Sequence, residues 1–216
     1  MPWTKLLAKI VACDVYVAYD SVQFTKREYQ ARQLFATVRG EPAFLSVPVR
    51  HTGQRELIRD IRIVNEQPWR ARQLDFLVAN YGHTPYFGEV FPVIEGVYAT
   101  DNDLLVEHNL ALIEAFCGYL GSNVRIVRAS TLPHTGSREQ RLLDLVRAVG
   151  GDEHLTSTTN THEIDWSGFA AAGIAVRTQE FTAPVYEQSI PDLAAADLLF
   201  WRGRAGIDLV TSLVAR

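Results

Sequence analysis

Residues 124–151 read VRIVRASTLPHTGSREQRLLDLVRAVGG, and the fold class turns on this stretch. Val124–Arg128 has the β-branched content of a strand. Ser137–Val149 then takes helical spacing, with Ser137 as cap, Gln140 three residues on, and Gly150-Gly151 as the stop. Further along, His154–Ser157 reads as a short strand, Trp166–Ala172 as a short helix ending at Gly173, and Ile174–Phe181 (IAVRTQEF) as a strand. Strand and helix in alternation favour parallel pairing through crossover connections. Asp192–Arg202 and Ile207–Val214 close the chain as helices.

In the other direction, Pro2–Ala12 carries Trp3, Leu6, Leu7, Ile10 and Val11 at helical spacing. Pro2 suits a first helical position, but nothing before it caps the amides. Asp14–Tyr19 (DVYVAY), Phe44–Val49 (FLSVPV) and Ile58–Val64 (IRDIRIV) read as strands, with Pro48 marking an edge or an early end. Three helices fill the middle: Trp69–Tyr81, Tyr86–Tyr98 and Asp101–Leu120, the last capped by Asp101 or Asn102 and stopped by Gly121. The expectation is one α/β domain over residues 1–216: a mixed, mostly parallel sheet flanked by helices, with a helical insertion in the middle.

At 47% hydrophobic and 21% charged residues, the 216-residue chain can bury a sizeable core. Its net charge of −4 argues against nucleic acid as a partner, although residues 26–72 are rich in arginine and suit a local anion site. Cys13 and Cys117 sit in apolar stretches without metal-ligand spacing and read as reduced, buried thiols. Sparse cysteine without a signal sequence fits the cytoplasm, and no apolar run approaches the ~20 residues that cross a bilayer. The six histidines lack metal-site spacing, so no metal is expected; His154 and His162 flank a polar run that reads as a surface loop. There is no phosphate-binding glycine loop and no Gly-x-Ser-x-Gly elbow.

The densest polar cluster is Asp20–Gln33 (DSVQFTKREYQARQ), at the carboxyl end of the first strand, where open α/β sheets bind ligands. Lys26, Arg27 and Arg32 suit a phosphate or carboxylate, and Asp20 suits an amine, the orientation of a base or a metal. A solvated turn is the competing reading. Tyr81, Tyr86 and Phe87 (NYGHTPYF) read as core, with one tyrosine hydroxyl reaching a cleft.

Together, DSVQFTKREYQAR, LSVPV, NYGHTPYFGEVFP, EQRLLDLVRAVGG, AAGI and AADLLF resemble, in order and over nearly the whole chain, the WbqC-like family. The resemblance implies a biosynthetic group transferase acting on an amine of a sugar or small metabolite, in surface-polysaccharide (O-antigen) or specialised-metabolite pathways. It picks out Asp20, Gln23, Lys26, Arg27 and Arg32, then Tyr81 and Tyr86, Arg141, and Asp197. The resemblance assigns none of them a catalytic role; from the chemistry of the polar cluster Asp20 and Lys26 are taken as catalytic and the others as substrate-binding. Its partners would be a small-molecule substrate or a carrier-bound acyl donor, with a homo-oligomer left open and the cofactor unknown. The chain departs from the family at two places. The His-Gln-Pro opening before Pro2-Trp3 is absent, so a first strand is expected to be lost or to lie upstream of Met1. Residues 155–162 (LTSTTNTH) lack the usual glycine-rich loop. Nucleotide-dependent chemistry on a nucleotidyltransferase-like sheet and a non-catalytic partner subunit are the alternative readings.

Overall fold

The first strand, β1 (Val15–Ala18), pairs parallel with β6 (Arg125–Arg128), placing Ala18 opposite Arg128 at the carboxyl tips. These elements come from a computed structural model that describes residues 1–25, 28–50, 55–158, 164–188 and 190–211. The chain is an α/β mix. Helix α1 (Thr4–Val11) precedes β1. Its missing cap is supplied from far along the chain: the Thr4 amide and Oγ1 both donate to the Leu193 carbonyl, at 3.2 and 3.0 Å.

Between β1 and β6 come β2 (Arg32–Ala36), β3 (Pro42–Ser46), β4 (Val49–Arg50) and β5 (Arg62–Ile63), then α2 (Trp69–Tyr81), α3 (Phe87–Tyr98) and α4 (Leu105–Leu120). After β6 follow α5 (Arg138–Ala148), β7 (Glu153–Ser157), α6 (Ser167–Ala171), β8 (Ala175–Gln179), α7 (Ala195–Arg202) and α8 (Gly206–Thr211). Ser137 caps α5 by accepting from the Gln140 amide at 3.3 Å, as its sequence predicts.

Among the described residues the ladders join strands two at a time: β1–β6 and β7–β8 parallel, β2–β3 and β4–β5 antiparallel. One mostly parallel sheet is therefore not what the hydrogen bonds build. The β2–β3 hairpin accounts for part of the difference. Its turn closes with Gly40 at φ +76, donating to the Thr37 carbonyl at 2.8 Å. The expected strand Phe44–Val49 breaks at Val47-Pro48, and Ile58–Val64 begins with a 3-10 turn at Ile58–Asp60. Helix α4 starts at Leu105 on Leu104 rather than at Asp101 or Asn102, because the Asp103 carbonyl and Leu105 amide are bonded to Ile63 and Ile61.

The main core gathers Phe24, Phe35, Leu77, Tyr81, Ile94, Leu112, Phe116 and Phe200, each at most 2 % exposed. Full burial of one such apolar side chain favours folding by about 1.5–3 kcal/mol. Phe24 and Phe35 bracket the polar segment after β1, so the core anchors the segment at both ends. The backbone of residues 20–24 runs along 56–59: Arg59 N donates to Asp20 O at 3.0 Å, Ile58 N to Val22 O at 2.9 Å, and Phe24 N to Glu56 O at 2.8 Å. Among the described residues no helix is long and apolar enough to cross a membrane.

Candidate functional site

Asp20 lies two residues beyond β1 and Ser130 two beyond β6, so the Ala18–Arg128 register sets them side by side. Asp20 is 2 % exposed. Its Oδ1 accepts from the Ser130 amide at 2.8 Å; its Oδ2 accepts from Ser130 Oγ at 2.8 Å and Arg128 Nε at 2.7 Å. Burial pushes the carboxyl up, but the bonds from Arg128 and Ser130 outweigh it and hold it below the ordinary carboxylate range. The two strand tips are thus clamped by one buried, anionic carboxylate.

The next residue continues the contact between tips. Ser21 Oγ lies 2.9 Å from Nε2 of His134, and His134 Nδ1 lies 2.8 Å from the Leu132 carbonyl. A carbonyl only accepts, so Nδ1 carries the ring proton, and in the neutral imidazole Nε2 accepts the Ser21 hydroxyl proton. The Tyr19 ring meets the His134 ring edge-on at 6.5 Å between centroids.

A cleft of about 360 Å³ opens beside Asp20. Its walls come from α1 (Leu6), β1 (Tyr16), α4 (Val106, Leu110 and Ile113) and the stacked rings of Trp3 and Tyr29, 4.9 Å apart. The polar residues of its lining are Tyr19, Asp20, Glu28, Gln30, Gln33 and Asn109. Three buried oxygens in this set lack a protein partner: Tyr19 Oη, Gln30 Oε1 and Gln33 Oε1. Gln33 is oriented by Nε2, which donates to the Tyr29 carbonyl at 2.8 Å, and Asn109 Nδ2 holds the Gln30 carbonyl at 2.8 Å. A second cleft of about 550 Å³, lined by α1, α5, β7 and β8 residues including Lys9, His154 and Arg177, shares Leu6, Tyr16 and Tyr19 with the first. Burial pushes His154 down to about 4. Among the described residues no group of three His, Cys, Asp or Glu side chains converges as a metal site.

The sequence-derived residues separate into distinct places. Lys26 and Arg27 lie outside the described residues, as does His162. Gln23 is exposed and bridges Leu57, away from the cleft lining. Arg32 also misses the cleft: alternation along β2 turns Gln33 and Phe35 inward, while the Arg32 guanidinium sits over the Phe44 ring at 4.5 Å. Gln23 and Arg32 therefore do not share a pocket wall. Arg141 lies half-buried on α5, its Nε buried without a protein partner.

Tyr81 and Asp197 meet instead at a separate buried node. Tyr81 Oη donates to Asp197 Oδ2 at 2.5 Å and accepts from the Ala36 amide at 2.9 Å, and Tyr186 Oη donates to Asp197 Oδ1 at 2.7 Å. Asp197 is fully buried, and that burial pushes its carboxyl up to about 6 against the pull of the two tyrosines. Tyr86 packs its ring against Gly203, whose φ of +56 and lack of a Cβ permit the approach. Arg128, Ser130, Ser21, His134, Gln30 and Tyr186 were not picked out from the sequence. The β1–β6 register is the signal that finds Ser130 and Arg128.

The WbqC-like protein family model matches residues 1–209. The uncharacterized protein Rv1507c of Mycobacterium tuberculosis is 24% identical over 178 residues, covering 82% of this chain and 76% of that protein. No solved structure matches the chain. With nearly its whole length matched, the chain belongs to the WbqC-like protein family.

Proposed function

We propose that this chain is a biosynthetic group-transfer enzyme that moves an acyl group from a carrier-bound donor to an amine of a sugar or small metabolite, as in surface-polysaccharide or specialised-metabolite assembly. The observation that carries the reading is that two glutamines of the cleft lining hold acceptors without a protein partner. Gln30 Oε1 and Gln33 Oε1 are buried and unpartnered, and such groups favour a ligand that brings N–H or O–H donors. The aromatic and aliphatic walls suit the body of a sugar or small metabolite. A transferase also needs two substrates side by side, and the second cleft meets the first at Tyr16 and Tyr19.

In this reading Asp20 locks the strand tips together instead of taking the amine proton. Its oxygens already accept three hydrogen bonds, and a carboxylate held below its ordinary range is a weak base. Lys26 and Arg27 keep the role the sequence suggests, neutralising an anionic donor. Most of the rate would come from holding donor and amine together.

Calorimetry with glucosamine and glucose tests the acceptor side, since the two differ by one amine. Tighter binding of glucosamine, weakened in Gln33→Leu, is the expected result. Equal binding of both sugars, or glucosamine binding untouched by Gln33→Leu, would remove the basis for an amine acceptor.

A further inference from the structure

We infer that Ser21 is a nucleophile that carries the acyl group covalently during transfer, with His134 as its base. This rests on the acyl-transfer reading of the cleft. Three observations place the pair together. The Ser21 hydroxyl has an acceptor, His134 Nε2, at 2.9 Å. The Leu132 carbonyl, 2.8 Å from Nδ1, fixes the tautomer that leaves Nε2 free to accept. The Asp20 clamp holds the backbone on both sides of the pair through Ser130 and Arg128. A nucleophile, a base within hydrogen-bond reach and a third group orienting the base make up the arrangement that activates a serine.

The position also suits the task. Ser21 follows Tyr19 and Asp20, which line the main cleft, and His134 borders a separate hollow of about 370 Å³ with Thr135, Asp144 and Arg147. His134 thus opens on that hollow, Ser21 adjoins the main cleft through its chain neighbours Tyr19 and Asp20, and Tyr19 brings a buried hydroxyl without a protein partner as a spare donor. In the first half-reaction Ser21 Oγ attacks the carbonyl carbon of an acyl thioester and its proton passes to His134 Nε2. The C–S bond breaks, and the sulfur leaves as the thiol with that proton. In the second half the acceptor amine attacks the acyl-serine and gives a proton to His134 Nε2. The C–Oγ bond breaks and Ser21 recovers the proton, so the enzyme returns unchanged.

The test uses para-nitrophenyl acetate as a small activated acyl donor, with intact-mass measurement and peptide mapping of the full chain. One acetyl group on Ser21 is expected, absent in Ser21→Ala. It should form roughly 100-fold or more slowly in His134→Gln, which keeps a hydrogen-bond partner for the hydroxyl but cannot take its proton. Circular dichroism of both variants confirms that they fold. Acetylation only elsewhere, or an unchanged rate in His134→Gln, would overturn the assignment. Glucosamine acetylation from acetyl-coenzyme A at the wild-type rate in Ser21→Ala would overturn it too, while leaving the transferase reading intact. Ser21 acetylation without any transfer to an amine would uphold the nucleophile and sink the transferase reading instead.

Discussion

Two carboxylates are buried among the described residues, Asp20 and Asp197, and they keep opposite company. Asp20 faces a guanidinium and Ser130, and these hold it anionic. Asp197 faces two tyrosine hydroxyls and no cation, so burial raises it to about 6. One joins two strand tips beside an open cleft; the other joins α7, α2 and the segment holding Tyr186 inside the core. The difference teaches that burial alone does not fix a carboxylate's charge: its partners do. The ion-paired one lines the cleft, and the tyrosine-bound one lies away from it.

Replacing each carboxylate in turn sharpens this contrast. Asp20→Ala should have the largest effect. It strands the Arg128 guanidinium and both Ser130 donors, lowering stability by about 3–4 kcal/mol and releasing the strand tips. Thermal unfolding should show a midpoint roughly 6–16 °C lower, at about 2–4 °C per kcal/mol for a chain of this size. Asp197→Ala leaves two tyrosine hydroxyls without their acceptor and a small void, a loss of about 2–3 kcal/mol. Amine binding measured well below its melting temperature should survive. A mutant that folds but no longer binds glucosamine would put Asp197 in the site.

The pH dependence separates the two by sign. Asp197 has a folded value of about 6 against an ordinary 3.8, so its contribution is full below about pH 4 and fades as pH rises to 6. Asp20 runs the other way: its contribution is present above the ordinary carboxylate range and is lost as pH falls. Asp197→Asn should therefore gain on the wild type by roughly 1–3 kcal/mol between pH 4 and 6, read from melting curves. A flat difference across that window would mean that Asp197 is not desolvated. The smallest effect belongs to Arg32→Ala, which loses an interaction with Phe44 worth about 0.5–1 kcal/mol. It should weaken glucosamine binding less than Gln33→Leu, although the two residues are neighbours on one strand; the reverse order would bring Arg32 back into the cleft.

The helices were legible because their apolar spacing is local: α2 stands at Trp69–Tyr81 as its pattern predicts, and α5 takes its Ser137 cap. β2 was hidden because Arg32-Gln33 reads as polar loop, yet alternation buries Gln33 and Phe35 against the core. The candidate site was legible in the same uneven way. Asp20 stands out as a polar residue at a strand end, but its partners Arg128 and Ser130 are 108 and 110 residues away. Only the β1–β6 register brings them together. Charge alone favoured Arg32 over Gln33, and the pleat of the strand reverses that choice.

The most direct measurement compares acetyl transfer from acetyl-coenzyme A to glucosamine in Asp20→Asn and Asp197→Asn, both assayed at 25 °C as folded proteins. Loosening the strand tips should slow transfer roughly 100-fold in the first variant, in line with the effect of small misplacements at a reacting centre. The second should stay near the wild-type rate. Equal losses in both, or a loss only in Asp197→Asn, would contradict the account and move the reaction to the tyrosine node.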